Sequence, residues 1–312
     1  MQYQQEAHFS SYEEFNSFPH GWDVEFSATS PRDYEASLHQ SMAPGILVNT
    51  AQLSSATLQR GSTPVGMRTF ALPLELPSPY CWRGRPVDEN TLITFPDDRE
   101  LFSTMGAGVE MLTISIDQAQ VDSLLEKWEL SPESVFSAPR TEALSAERYW
   151  QLRQDLGLMT EFMLEHGQHP DFSSISRGLY EKLLEQMLEP LQQCPDSPRV
   201  SKALAAKRVK VATDYILSKL GEPLTVIEIC SYLRCSRRSL EQDFRQYAGT
   251  SPKQFIQLIR LTHCRQSLLA AAPDATVQHI AGQLGFWHMG EFARIYRRVF
   301  RETPSQTLKR GH

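Results

Sequence analysis

A pattern that occurs twice, from Thr225 to Phe255 and again from Thr276 to Leu308, constrains this 312-residue chain more than any other feature. The first copy reads TVIEICSYLRCSRRSLEQDFRQYAGTSPKQF and the second TVQHIAGQLGFWHMGEFARIYRRVFRETPSQTL. Cys230 and Leu233 recur 51 positions later as Ala281 and Leu284. Beyond the turn the offset is 52, which pairs Leu240, Phe244 and Pro252 with Phe292, Tyr296 and Pro304. The second turn therefore holds one extra residue. Each copy predicts a short helix, a tight turn and a longer basic helix, the shape of a helix-turn-helix.

Charge divides the chain at the same place. The net charge is −6, but residues 205–312 carry 17 Lys and Arg against 8 Asp and Glu, and residues 1–204 carry 14 against 29. Only the C-terminal third is composed to meet phosphate. At this length two domains with their own cores are expected, and 41% hydrophobic with 22% charged residues is ordinary for a soluble protein. No apolar run reaches the roughly 18 residues that span a bilayer, and the N-terminus lacks the pattern of a secretory signal. Five cysteines (81, 194, 230, 235 and 264) include no CxxC pair. Cys230 and Cys235 are expected as small buried apolar side chains, and the setting as a reducing cytoplasm.

From about 34 to 116 the segments GILVNT, AQLSSATLQR, MRTFALPLEL, NTLITF and VEMLTISI are separated by Gly and Pro turn signals. They predict a small antiparallel barrel or sandwich. Asp117 is placed to cap a short helix. Two longer helices are predicted at about 145–166 and 172–193. On the second, Leu179, Leu183, Leu184, Met187, Leu188 and Leu191 form an apolar face expected to dimerise the chain. The organisation expected is an N-terminal domain over 1–193 (barrel about 34–116, helices about 117–193), a linker over 194–201, and a helical domain over 202–312.

In the first unit, Val226–Leu233 is read as the positioning helix and Arg237–Tyr247 as the recognition helix. Leu240 and Phe244 face inward, so Arg237, Arg238, Glu241, Gln242 and Arg245 face the groove. Arg suits guanine and Gln suits adenine at major-groove edges. Glu241 reads cytosine or restrains a neighbouring arginine by an ion pair. In the second unit His288, Met289, Ala293, Arg294 and Arg297 are the candidates. The connector Pro252–Ala271, about 20 residues at 1.5 Å each, spans roughly 30 Å, close to the roughly 34 Å of one duplex turn. Lys253, Arg260 and Arg265 are expected on phosphates.

These residues resemble the AraC/XylS family of transcription regulators. The resemblance rests on Ser236-x-x-x-Leu240-x-x-x-Phe244, Gly249-Thr250-Ser251-Pro252, Arg260-Leu261, Ile280-Ala281, Gly285-Phe286, Phe292-x-Arg294 and Pro304. Cys264, Arg301 and the run Trp287–Gly290 depart from it. It implies a DNA-binding regulator of double-stranded DNA, usually an activator that contacts RNA polymerase. It also implies an N-terminal cupin-like β-barrel that senses a small-molecule effector beside a helical dimerisation pair, so the fold class expected is α+β multidomain with an all-α tandem helix-turn-helix domain. A barrel pocket lined by Phe70, Leu72, Tyr80, Trp82 and Phe95 is expected, with Arg68 or Arg83 pairing an anionic ligand. A partner protein controlling the N-terminal domain is the alternative. No nucleophile elbow, phosphate loop or metal cluster is present in the sequence, so neither catalysis nor a cofactor is expected.

Overall fold

The computed structural model describes residues 3–18, 21–28, 34–77, 80–83, 85–97, 99–166, 169, 171–172, 177–193 and 200–311. In chain order the strands are β1 (Tyr3–Phe9), β2 (Asp23–Ala28), β3 (Ala36–Ala43), β4 (Ile46–Leu53), β5 (Thr57–Ser62) and β6 (Met67–Glu75). Then come β7 (Tyr80–Trp82), β8 (Arg85–Val87), β9 (Thr91–Thr94), β10 (Glu100–Met105), β11 (Val109–Asp117) and β12 (Arg140–Ala143).

These strands form two antiparallel sheets, ordered β1-β3-β4-β11-β6-β9-β12 and β2-β5-β10-β7-β8, rather than one closed barrel. Strands begin at Tyr3 and end at Ala143, beyond the expected 34–116 on both sides. The two extra members of the larger sheet, β1 (YQQEAHF) and β12 (RTEA), are its edges. Edge strands carry polar residues on both faces, so they lack the apolar alternation that betrays inner strands.

The larger sheet is buried on both faces. Along β4, β6 and β11 the even positions Ile46, Val48, Phe70, Leu72, Leu112, Ile114 and Ile116 share one core with the N-terminal helices. Odd positions Leu53, Ala71, Val109 and Met111 share the other core, between the sheets, with Phe15, Phe26, Trp82 and Phe95. One pleat thus feeds two cores.

Helix α1 (Tyr12–Ser17) lies beside β2. Asp117 caps α2 (Gln118–Lys127) by accepting from the Ala119 and Gln120 amides. Helices α3 (Pro132–Phe136), α4 (Ala146–His166) and α5 (Arg177–Gln193) follow. Buried Asp155 on α4 binds Lys182 and Gln186 of α5 at 2.9 and 2.6 Å, tying the pair together. The expected dimer face on α5 is spent inside the chain. Leu183, Leu184, Met187 and Leu188 are at most 2% exposed and pack with Leu156 and Met159, while Leu179 leans on the same core. The side chain of Leu191 lies outside the described set. An apolar stripe signals burial without saying against what, and here the broad sheet face supplies the answer. On this helix pair, among the described residues, the exposed large apolar side chains are instead Trp150, Leu158 and Leu164 of α4.

Of the expected linker, 194–199 lies outside the described residues and Val200 already begins α6 (Val200–Ser218). Two helix-turn-helix units follow, α7 (Val226–Leu233) with α8 (Arg237–Tyr247), and α10 (Val277–Gln283) with α11 (Met289–Phe300). Between them runs α9 (Pro252–Leu269), and α12 (Pro304–Arg310) ends the chain. Among the described residues no helix is long and apolar enough to cross a membrane.

Candidate nucleic-acid interface

Local sequence sets each helix of the two units. Thr225 and Glu228 form a reciprocal capping box at α7, and Ser236 caps α8 through the Ser239 amide. Ser251 and Gln254 form a second box at α9, with Pro252 in its first turn where a missing N–H costs nothing. Thr276 caps α10, but His288, before α11, makes no side-chain capping bond.

Leu240 and Phe244 anchor α8 in a core with Val209, Ile216, Ile229, Phe255 and Ile259. Phe292 and Tyr296 anchor α11 in a separate core with Ile280, Leu261, Cys264 and Leu268. Helix α9 contributes to both, Phe255 and Ile259 to the first and Leu261 and Leu268 to the second. Its 18 residues span about 27 Å. A helix packed into two cores along its length is a stiff spacer between the units.

With the anchors inward, Arg237, Arg238, Gln242 and Arg245 of α8 are exposed, and Glu241 is partly so. Glu241 takes the ion-pair option, since its Oε1 lies 2.9 Å from Arg237 Nε one helical turn away. That contact leaves Arg238, Gln242 and Arg245 as the exposed hydrogen-bonding groups outside the pair. Buried Asp243 on the opposite face accepts from Arg208 of α6 at 2.7 Å and fixes the roll of α8. On α11, His288, Arg294 and Arg297 are exposed, while Met289 and Ala293 are half-buried.

Of the three expected phosphate contacts, Arg265 is turned inward and Arg260 is partly buried. Arg265 is 6% exposed, with its guanidinium 2.8 Å from Glu13 of α1 and 2.6 Å from Glu302. Arg260 donates to the Glu222 carbonyl and lies against Gly285, and burial pushes it below its ordinary value. Arg265 thus ties α9 to α1, and Arg260 ties it to the loop before α7. Lys253 is exposed at the start of α9. Sequence reasoning passed over Arg234, Arg298 and Trp287, all exposed, the last at 70%. Trp287 lies in the longer second turn, which has one residue without a counterpart in the first repeat, and that inequality was the available signal.

The expected effector residues are all buried or paired within the chain. Arg68 is 7% exposed, paired with Asp97 and Asp122 and stacked over Phe136 at 4.4 Å, so it has no free face for an anion. Arg83 pairs with Glu100 at 3.2 Å. Tyr80 and Trp82 are core residues, 5% and 0% exposed. The cavity between the sheets, about 80 Å³, is lined by Phe15, Trp22, Phe26, Leu38, Leu53, Leu101 and Met111 with polar Asn49, Gln59 and Thr113. Among the described residues no group of three or more His, Cys, Asp or Glu could hold a metal.

A helix-turn-helix domain model matches residues 229–310, which covers both units and the spacer. The probable thc operon regulatory protein of Rhodococcus erythropolis is 36% identical over 102 residues, 32% of this chain and 31% of that protein. The matched region is an AraC-type helix-turn-helix domain of transcriptional regulators. An AraC/XylS relative, the XylDLEGF operon transcriptional activator 3 of Pseudomonas putida, is 26% identical over 233 residues, 72% of this chain and 63% of that protein. The chain thus spans less than two thirds of either relative's length. A crystal structure of a probable AraC family regulator from Rhodopseudomonas palustris is 33% identical, with a TM-score of 0.32, and covers 34% of this chain and 98% of that one.

Proposed function

We propose that this chain is a sequence-specific DNA-binding transcription activator whose N-terminal sandwich receives a small-molecule effector. The observation that carries the reading is the pair of basic helices, α8 and α11, held by one stiff spacer of about 27 Å. Two recognition helices so spaced suit successive major-groove faces about 34 Å apart once their tilt into the groove is added. Exposed Arg238, Gln242 and Arg294 supply base-reading groups, and Lys253 supplies a phosphate contact. Selection of duplexes from a random-sequence pool by the full chain tests this. A recovered motif with two conserved blocks about one turn apart supports it, and an unenriched pool overturns it.

The cavity between the sheets supports the effector reading. Its walls are apolar and aromatic with a few amide groups, as in small-molecule sites. At about 80 Å³ it is roughly half the size of an apolar cavity that holds benzene. An effector lodged there has few heavy atoms or displaces side chains. Exposed Trp150, Leu158 and Leu164 on α4 support contact with another chain, which we take to be a second copy. Activation further implies contact with RNA polymerase.

A further inference from the structure

The turn of the first unit carries two thiols brought together by the backbone. Cys230 stands in the last turn of α7 and Cys235 just beyond its end, and neither is in a disulfide. Arg234 between them adopts a left-handed conformation, φ 49°, which folds the chain back so that the Cys235 amide donates to the Cys230 carbonyl at 3.0 Å. This is the helix-ending arrangement in which the side chains of those two positions meet. Here both of those positions are cysteines.

The second repeat shows what that position does when it is only structural. Phe286 donates to the Ala281 carbonyl at 3.0 Å across Gly285, φ 80°. The same backbone closure there brings together an alanine and a phenylalanine, an unreactive apolar contact. A cysteine in both places is therefore not required by the turn. Nor does the pair belong to a metal site, since no third ligand of the right type joins it among the described residues.

We propose that Cys230 and Cys235 are an oxidisable dithiol that closes to a disulfide within the first helix-turn-helix and lowers its affinity for DNA. The effect on DNA rests on the DNA-binding reading above, while the disulfide itself does not. Bond lengths and the single backbone hydrogen bond keep the two Cα atoms no more than about 6.5 Å apart, inside the range a disulfide accepts. Both residues are partly exposed, so a small oxidant reaches them.

The oxidant is a hydroperoxide. The Cys230 thiolate attacks its outer oxygen, the O–O bond breaks, and the Cys230 sulfenic acid forms as an alcohol or water leaves. Cys235 sulfur then attacks the Cys230 sulfur, the S–O bond breaks, and water departs with the Cys235 proton. Two thiols lose two electrons and the hydroperoxide gains them. Burial, with Cys230 beside it, pushes the Cys235 thiol up, which suits the second, resolving role.

Closure has a mechanical consequence. Non-bonded sulfurs stay roughly 3.5–4 Å apart, whereas a disulfide holds them at about 2.05 Å. The contraction pulls the turn towards the end of α7. Ser236, Arg237 and Arg238, the start of the recognition helix, move with it.

The test uses the full chain, treated with hydrogen peroxide and then alkylated. Trypsin cleaves after Arg234, so the cysteines fall on separate peptides, 220–234 and 235–237, joined only by a disulfide. The expected result is that linked pair in the mass spectrum, together with an at least tenfold loss of affinity for a duplex selected from a random pool by the reduced protein. Dithiothreitol restores binding. The Cys230→Ala variant, which carries the residue of the second repeat, keeps its affinity under peroxide. Absence of the linked peptides overturns the proposal, as does their presence with unchanged affinity. An equal loss of affinity in Cys230→Ala assigns the effect to other thiols and also overturns it. If the reduced protein selects no duplex, the DNA-binding reading fails, and the linked peptides alone decide the dithiol.

Discussion

Arg265 Nε on α9 lies 2.8 Å from Glu13 Oε1 on α1, which joins the spacer between the two units to the N-terminal sandwich. The other side of the guanidinium meets Glu302, 2.6 Å away, and Phe300 stacks at 4.7 Å. Further along the seam Gln266 donates to Glu25 at 3.0 Å, Lys210 meets Glu100 at 2.8 Å, and Arg60 pairs with Asp214. The two halves thus dock through opposite charges around buried Leu58 and Phe102, which join the core of the first unit. Because Arg265 is almost fully buried, its removal takes the cation from Glu13 and leaves Glu302 with only Arg310 and Thr307. Arg265→Ala is expected to destabilise the chain by ~3–5 kcal/mol, measured by urea unfolding. A loss below about 1 kcal/mol would show that water screens the seam.

His263, next to this seam, gives it a pH dependence. Burial holds the imidazole below its ordinary value of 6.5, with Glu25 opposing the shift and Arg60 adding to it. The folded state therefore prefers neutral His263, and the unfolded chain takes up its proton at the higher pH. Its stabilising contribution is complete above 6.5 and is lost as pH falls through the lower folded value. The melting temperature of the wild type should fall between pH 7.5 and 5.5 by more than that of His263→Gln. Parallel pH profiles would remove His263 from the account.

The cavity between the sheets makes a separate prediction. Ala51 is one of its lining residues, and Ala51→Leu adds three carbons to a space of about 80 Å³. The variant should lose any thermal shift that a metabolite screen finds with the wild type, and keep its affinity for a selected duplex. A retained shift would place the effector elsewhere.

How much of this was legible in the sequence depends on whether a residue's role is local. The bounds of α7 and α8 follow from Thr225, Ser236 and the Leu240–Phe244 spacing, all readable within one turn. The edge strand β1 was not readable, because its pairing with β3 is long-range and its own residues are mostly polar. Leu184 and Leu188 showed an apolar face, but only the sheet shows that the chain covers that face itself. Arg68 and Arg265 look like surface cations in sequence. Their carboxylate partners, Asp97, Asp122, Glu13 and Glu302, come from distant segments and cannot be paired by spacing.

The two recognition helices should contribute unequally. On α8 the Arg237–Glu241 pair holds one arginine back, and Arg238 and Gln242 remain as exposed groups that can bond to base edges. On α11 half-buried Met289 and Ala293 take the places of Arg237 and Glu241, Gly290 that of Arg238, and Arg294 that of Gln242. Apolar contacts to a thymine methyl discriminate less than a bidentate pair, which is worth about 1–3 kcal/mol. Arg238→Ala and Gln242→Ala should therefore each cost about 1–3 kcal/mol at the selected duplex and relax base preference at one block of the motif. Lys253→Ala should instead weaken all sequences alike and shallow the salt dependence by about one counterion. Base-by-base substitution of the duplex, measured by fluorescence anisotropy at two salt concentrations, separates the two behaviours. If Arg238→Ala lowers affinity equally for every base at every position, its guanidinium is on the backbone, and the asymmetry between the helices lies elsewhere.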